Sequence, residues 1–280
     1  MVFWILAGLT FVVFLIGTVT DIKSRELPDY VSGMYIIAAL TIRGVWAVIK
    51  ADAMIFLAGV VLGGAVFFFS YLMYKARMWG GGDVKLLTGV VIALAGFNDR
   101  YVFVLFYMLN FFVVGAIYGI AMSFIYALKN PEGVKKDILA PKNGLAVLTG
   151  MIGALAIYFG VKIEIAKITA VLLPAVIVLE IVLRAVEKNC FVKKIPVSRL
   201  TEGDWVVTEL KGVYNPEKDV CVTEKIINEF RKGGYKEVVV KEGIPYIPSF
   251  LISFIITVLN KDLFFAFIVK SMGLAYPPIL

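Results

Sequence analysis

The sequence predicts an all-α polytopic membrane protein, with six to eight transmembrane helices and a small α+β cytoplasmic domain near the C-terminus. Of the 280 residues, 60% are hydrophobic and 18% are charged, and the mean hydropathy is +0.89. These values lie outside the range of ordinary soluble domains. The apolar residues also form runs of about 20, the length that crosses a bilayer core of about 30 Å. Short charged clusters separate the runs.

Eight apolar stretches are the predicted helices. The stretch at 84–97 is short for a span, so we expect its helix to begin in a loop lined by protein or water. The first stretch has no basic segment before it and no small-residue cleavage site before Asp21, so we expect a retained helix and not a cleaved signal. The stretches lie at 2–20, 31–49, 54–74, 84–97, 101–128, 145–160, 168–183 and 247–269.

Residues 184–245 differ in composition from the rest of the chain. Prolines and glycines separate short runs of strand-forming residues at 205–207 and 238–240, and such punctuation is typical of a small α+β fold. Between these runs, 222–232 has the charge and apolar alternation of an amphipathic helix. We therefore predict three parts: a membrane-embedded core at 1–183, the cytoplasmic domain at 184–245, and a C-terminal transmembrane helix with a short tail at 246–280.

The basic residues predict the orientation. If the N-terminus is outside, the loops on the inner side hold 21 of the 28 Lys and Arg residues. Cytoplasmic loops carry such an excess in multi-pass proteins of the cell membrane. The net charge of +7 therefore reports topology, and we expect no nucleic-acid partner. The predicted inner loops are 21–30, 75–85, 129–144 and 184–243.

The missing residue types exclude several chemistries. The chain has no histidine, and its two cysteines, Cys190 and Cys221, form no CxxC pair. A Ser-His-Asp triad, a Cys-His pair, a His-ligated zinc site and a disulfide framework all lack their parts. Carboxylates are therefore the catalytic groups to consider.

Two aspartates fall at the same predicted membrane boundary. Asp21 closes the first apolar stretch, and Asp83 opens the fourth, directly after Gly80–Gly82. A carboxylate at membrane depth costs about 2.5 to 3.5 kcal/mol. Paired aspartates hydrolyse peptide bonds without a metal, because one takes a proton from water while the other donates a proton to the carbonyl oxygen. Glycines without a Cβ also let a substrate strand approach the backbone.

These residues resemble the type IV prepilin peptidase and archaeal preflagellin (prearchaellin) peptidase family of GxGD membrane aspartyl proteases. Gly80–Lys85 matches the GxGD motif, and Asp21–Asp29 is similar to the family's first aspartate segment; Gly243–Pro248 resembles the C-terminal region of archaeal members. The resemblance implies that Asp21 and Asp83 are catalytic and that the substrate is a type IV pilin-like or archaellin precursor. Its short basic leader would be removed at the cytoplasmic face. The chain lacks the cysteine tetrad of bacterial relatives, so we expect no methyl donor, no metal and no other cofactor.

Further residues near the motifs are candidates for binding substrate or shaping the site. Glu26 and Asp29 either attract the basic leader or are solvated loop charges. Arg25 and Lys85 either tune the aspartate pair or anchor helix ends in the headgroup layer, and we favour anchoring. The remaining candidates are Gly80, Gly81 and Gly82. The sequence leaves the oligomeric state and the identity of the precursor open.

Other functions remain alternatives. A secondary transporter with a Gly-interrupted helix predicts a site at the membrane midplane, whereas both aspartates lie at the inner boundary. A presenilin-like intramembrane protease pairs GxGD with Tyr-Asp and Pro-Ala-Leu motifs; here Thr20 precedes Asp21, and Val176 follows Pro174-Ala175. A non-enzymatic scaffold would tolerate neutralisation of either aspartate.

Overall fold

The computed structural model describes residues 1–97, 101–216 and 218–259. Within these ranges a helix occupies each of the eight predicted apolar stretches, the last one over its described part. A short additional helix, α6, was not predicted. The helices of these stretches and α6 are α1 Val2–Ser24, α2 Asp29–Lys50, α3 Met54–Lys75, α4 Gly81–Leu94, α5 Tyr101–Ala127, α6 Pro131–Ile138, α7 Pro141–Gly160, α8 Glu164–Val186 and α10 Ile247–Val258.

Six helices among the described residues are long and apolar enough to cross a membrane, namely α1, α2, α3, α5, α7 and α8. Many of their large apolar side chains are exposed, such as Phe68 in α3 and Leu148 in α7. In water such surfaces would be unfavourable, whereas lipid tails solvate them. The predicted fold of a multi-pass membrane protein is confirmed.

Helix α4 is shorter and more buried than these spans. Its 14 residues extend about 21 Å at about 1.5 Å per residue, which is less than the hydrocarbon thickness. All residues from Leu86 to Leu94 are buried, and α4 packs against both α2 and α3. The short fourth stretch is therefore enclosed by protein, as its length indicated.

A buried arginine closes the far end of α4. Arg43 of α2 is fully buried, and its Nη1 donates hydrogen bonds to the carbonyl oxygens of Ala93 at 3.2 Å and Ala95 at 2.7 Å. Its Nη2 donates to the carbonyl of Ile55, and the guanidinium lies 4.6 Å from the ring centroid of Phe97. The last carbonyls of a helix lack intrahelical partners, so Arg43 supplies donors to two carbonyls at the end of α4 from a fully buried position.

An aromatic cluster holds α10 against α1 and α5. The ring of Phe14 in α1 lies 5.9 Å from that of Phe250 in α10, and Phe111 in α5 lies 4.5 Å from the same ring, between centroids. The side-chain amide of buried Asn110 also donates a 3.0 Å hydrogen bond to Thr257. Aromatic contacts of this kind contribute about 0.5 to 1.5 kcal/mol beyond area burial. They fix the start of α10 beside the end of α1.

The chain divides into two compact units. One contains residues 1–119 together with the chain from 243 onward, and the other contains 120–242. The first unit includes α1 to α4, most of α5, and α10. The predicted domain boundaries at 183/184 and 245/246 remain predictions.

The second unit contains a small sheet near the C-terminus, with three strands among the described residues. All pairings are antiparallel and the strand order is β1-β3-β2. The predicted strands at 205–207 and 238–240 and the predicted helix at 222–232 are confirmed, whereas β1 was not predicted. The elements are β1 Val192–Pro196, β2 Trp205–Val206, α9 Glu224–Lys232 and β3 Glu237–Lys241.

Helix α6 is tied to the end of α8 within the same unit. The carboxylate of Asp137 accepts hydrogen bonds from Lys188 at 2.9 Å and Asn189 at 2.6 Å. These two donors lower the pKa of the Asp137 carboxyl below its usual value. At the other end of α6, the side chain of Asn130 accepts from the amide of Gly133 at 3.3 Å, an N-cap arrangement.

Candidate active site

Asp21 lies in the last turn of α1 and is 7% exposed. Its Oδ2 accepts a 2.8 Å hydrogen bond from the backbone amide of Ile247, and the amide of Tyr246 interacts with the same carboxyl. These two residues begin α10. A carboxylate near the C-terminus of its own helix is disfavoured, whereas the N-terminus of a second helix favours it. Helix α10 therefore stabilises a charge that α1 alone would not.

Asp83 is the third residue of α4. Its Oδ2 accepts a 3.0 Å hydrogen bond from the amide of Gly80, the N-cap residue of this helix. An acidic side chain at this position commonly reaches back to the N-cap amide. The bond orients the Asp83 carboxyl at the start of the helix, where the residue is half-buried.

The two aspartates belong to one compact unit, and their carboxyl groups are near enough for their charges to interact. Leu27 connects the segments that carry them. A Cβ added at Gly17 of α1 would lie 3.4 Å from Leu27 Cδ1, and one added at Gly82 would lie 3.2 Å from Leu27 Cβ. Leu27 therefore packs against both the end of α1 and the start of α4.

The three glycines before Asp83 have different surroundings. Gly80 is the N-cap residue, whereas Gly81 and Gly82 form the first turn of α4. A Cβ at Gly82 would press against Leu27, while nothing lies within 4 Å of a Cβ at Gly81. Of these three glycines, Gly82 is therefore the one that the packing of Leu27 requires. Gly81 is exposed and leaves open space at the helix start.

The charged candidates lie around the same two segments. Lys85 Nζ contacts Asp29 Oδ1 at 2.5 Å and so joins the second turn of α4 to the first turn of α2. Arg25 ends α1 in a left-handed conformation with φ 58, and its Nη1 donates to the carbonyl of Gly243 at 2.7 Å. Glu26 is exposed. Asp29 and Lys85 therefore pair with each other, and Arg25 holds the segment that leads into α10.

Sequence reasoning missed the contribution of Tyr246 and Ile247. The Tyr246 phenol interacts electrostatically with Asp83, while the backbone of the same residue faces Asp21. Its ring also contacts the rings of Phe111 and Phe250. The segment Gly243–Pro248 had been singled out by resemblance, but nothing in its composition indicated contact with Asp21, which lies 226 positions from Ile247.

Comparison with known proteins shows which family the segments of this site resemble. Residues 8–128 match the family model described as the type IV leader peptidase family. This part of the chain is similar to that family. The resemblance read from the GxGD motif is therefore confirmed.

Two known peptidases are similar to this chain over shorter segments. Prepilin peptidase EppA of Methanothermobacter thermautotrophicus is 31% identical over 75 residues, which cover 27% of this chain and 20% of the relative. The preflagellin peptidase of Methanocaldococcus jannaschii is 32% identical over 84 residues, which cover 30% of this chain and 36% of the relative. The chain thus spans well under two thirds of either relative. No solved structure matches it.

The type IV leader peptidase match contains both aspartates and the glycine motif. It ends at residue 128, so the segment that donates hydrogen bonds to Asp21 lies outside it. The site therefore combines a part that matches the family model with α10, which that model does not cover.

Proposed function

We propose that this chain is a membrane aspartyl endopeptidase that removes the short basic leader from type IV pilin-like or archaellin precursors at the cytoplasmic face of the cell membrane. The observation that carries the proposal is the arrangement of Asp21 and Asp83. Backbone amides hold each carboxyl group within one compact unit, and their charges interact. The names of the two relatives support this substrate class.

The proposed reaction is hydrolysis with the two carboxyl groups in different protonation states. The ionised aspartate takes a proton from water, whose oxygen attacks the scissile carbonyl carbon. The protonated partner donates its proton to the carbonyl oxygen. When the C–N bond breaks, the leaving amine takes the proton that came from water, and the newly ionised partner takes a proton from a hydroxyl group of the tetrahedral intermediate, so that the pair again holds one shared proton. Two like charges at short range favour this shared state.

The surroundings of the aspartates suit an extended basic leader beside an apolar segment. Exposed Gly81 offers backbone without a side chain at the start of α4. Glu26, exposed after the end of α1, is the acidic group that we propose for attracting the leader. Asp29 contributes less, because Lys85 already neutralises it. The apolar segment of the precursor would remain among the lipid-exposed helices.

The test compares wild type with Asp21→Asn, Asp83→Asn and Asp29→Asn in purified full-length protein. The substrate is a pilin-like precursor with a basic leader, and mass spectrometry locates the cut. We expect both dyad variants to lose at least about a hundredfold in rate, the lower range of general acid–base contributions, whereas Asp29→Asn still cleaves. Persistent cleavage by Asp21→Asn or Asp83→Asn would reject the dyad.

A further inference from the structure

We propose that the first residues of α10, Tyr246 and Ile247, are positioning residues that hold Asp21 ionised and oriented as the group that activates water. This inference rests on the proposed peptidase function. It adds to the site a segment that lies beyond the family match at 8–128.

The first argument is electrostatic. Asp21 is nearly fully buried in the last turn of α1, where partial negative charge from the helix end opposes a carboxylate. The Ile247 amide at 2.8 Å and the neighbouring Tyr246 amide belong to the N-terminus of α10, whose partial charge is positive. Arg25, which interacts with Asp21 and donates to the Gly243 carbonyl, ties this segment to the end of α1.

The same donors give the two aspartates different roles. Asp21 receives two amides of another helix and the positive charge of Arg25. Asp83 accepts from the Gly80 amide of its own helix, and it faces the phenol of Tyr246 and the charge of Asp21. The richer set of donors favours the ionised form at Asp21, which leaves Asp83 as the partner that carries the shared proton.

The second argument is steric. Glycines stand where α1 and α5 meet the first residues of α10. A Cβ at Gly17 would lie 3.1 Å from Ile247 Cγ2, and a Cβ at Gly115 would lie 2.0 Å from the Tyr246 hydroxyl. Real Cβ atoms essentially never come as close to another atom as the 2.0 Å at Gly115. Both helices therefore leave room for this segment and fix its position from two sides.

The chain offers a matched control for each glycine. Gly8 lies in α1 like Gly17, and nothing surrounds its Cβ position within 4 Å. Gly119 lies one turn after Gly115 in α5, and its Cβ would meet Ile244 Cδ1 at an ordinary 3.9 Å. Alanine at Gly8 or Gly119 therefore changes the same helix without displacing the start of α10.

The experiment measures kcat and KM for precursor cleavage by Gly17→Ala and Gly115→Ala, beside Gly8→Ala and Gly119→Ala. We expect kcat to fall at least about tenfold in the first pair with KM unchanged, because displacements near 1 Å cost up to about a hundredfold in rate. The control pair should retain the wild-type kcat.

Wild-type kcat in folded Gly17→Ala and Gly115→Ala would overturn the proposal, and so would an equal loss in the controls or a change confined to KM. If either alanine variant does not fold, the deciding variant carries the α-hydroxy acid analogue of isoleucine at position 247. This variant replaces one N–H by oxygen, and wild-type kcat in it would likewise overturn the proposal. Failure of the proposed peptidase function can be told apart from failure of this inference. It would appear as precursor cleavage by Asp21→Asn, or as no precursor cleavage by the wild type.

Discussion

At the scale of single residues, the candidate site depends on small groups at short distances. The amide of Ile247 and the missing side chain of Gly82 matter as much to its geometry as the carboxyl groups do. Leu27 shows why, because it fills the space between Gly17 and Gly82 and so fixes the separation of the segments that carry Asp21 and Asp83. A methyl group at Gly82 would change that separation.

We predict different effects of alanine at two adjacent glycines. Gly82→Ala brings a Cβ to 3.2 Å from Leu27 Cβ, an atom close to the backbone that cannot rotate away, so kcat for precursor cleavage should fall. Gly81→Ala meets nothing of the protein within 4 Å and should leave folding intact or improve it by about 0.5 to 1 kcal/mol, since alanine favours helix. Because the proposed leader lies against Gly81, the added methyl group should raise KM and leave kcat unchanged. Kinetics and thermal unfolding of both variants test this. Equal kcat in the two would contradict it.

At the scale of elements, α4 is the helix on which the site depends. It begins at the Gly80 N-cap, carries Asp83 in its first turn, and ends at carbonyls that Arg43 satisfies from α2. Its enclosure by α2 and α3 makes the short length tolerable, because the carbonyls at its end are not exposed to hydrocarbon. Burial and capping together give Asp83 a rigid support.

We predict that Arg43→Met destabilises the fold and that Arg43→Lys does so less. Methionine leaves the carbonyls of Ala93 and Ala95 without this donor, at about 1 to 3 kcal/mol for each buried acceptor left unpaired, whereas lysine retains a charge and supplies fewer donors. Thermal unfolding in detergent measures the difference. Cleavage at low temperature should change little, since Arg43 lies at the opposite end of α4 from Asp83. An unfolding temperature equal to wild type in Arg43→Met would contradict this account.

At the scale of the whole molecule, the distribution of charge predicts the orientation. The loops that carry Asp21 and Asp83 are among those that together hold 21 of the 28 basic residues, and such loops stay in the cytoplasm. A precursor with a basic leader would be cut there. The orientation and the proposed substrate are therefore one consistent hypothesis.

We predict opposite accessibility for two engineered cysteines in a chain with Cys190→Ala and Cys221→Ala. Both native positions, Lys136 in α6 and Lys162 after α7, are exposed. A thiol reagent that does not cross membranes should label Lys162→Cys on intact cells, and Lys136→Cys only after the cells are opened. The reverse pattern would invert the orientation and move the proposed site to the outer face.

The sequence alone determined the membrane helices and the two aspartates. Spans are predictable because hydrocarbon requires about 20 consecutive apolar residues whatever the tertiary packing. Asp21 and Asp83 stand out because a carboxylate at such a boundary is costly and because the glycine motif precedes Asp83. The strands β2 and β3 were predictable from their β-branched runs, whereas β1 has an almost wholly exposed pattern without the alternation that marks a strand.

Only the tertiary structure decided what holds these groups in place. Arg43 reads in the sequence as a charge inside an apolar stretch, and its role depends on the end of a helix about fifty positions away. The bond from Ile247 to Asp21 joins residues 226 positions apart. Hydropathy and helical periodicity report the local environment of a residue, whereas such contacts depend on which helices pack together. The sequence therefore identified the candidate catalytic carboxyl groups on α1 and α4. Helix packing determined that a third helix, α10, donates a hydrogen bond to one of them.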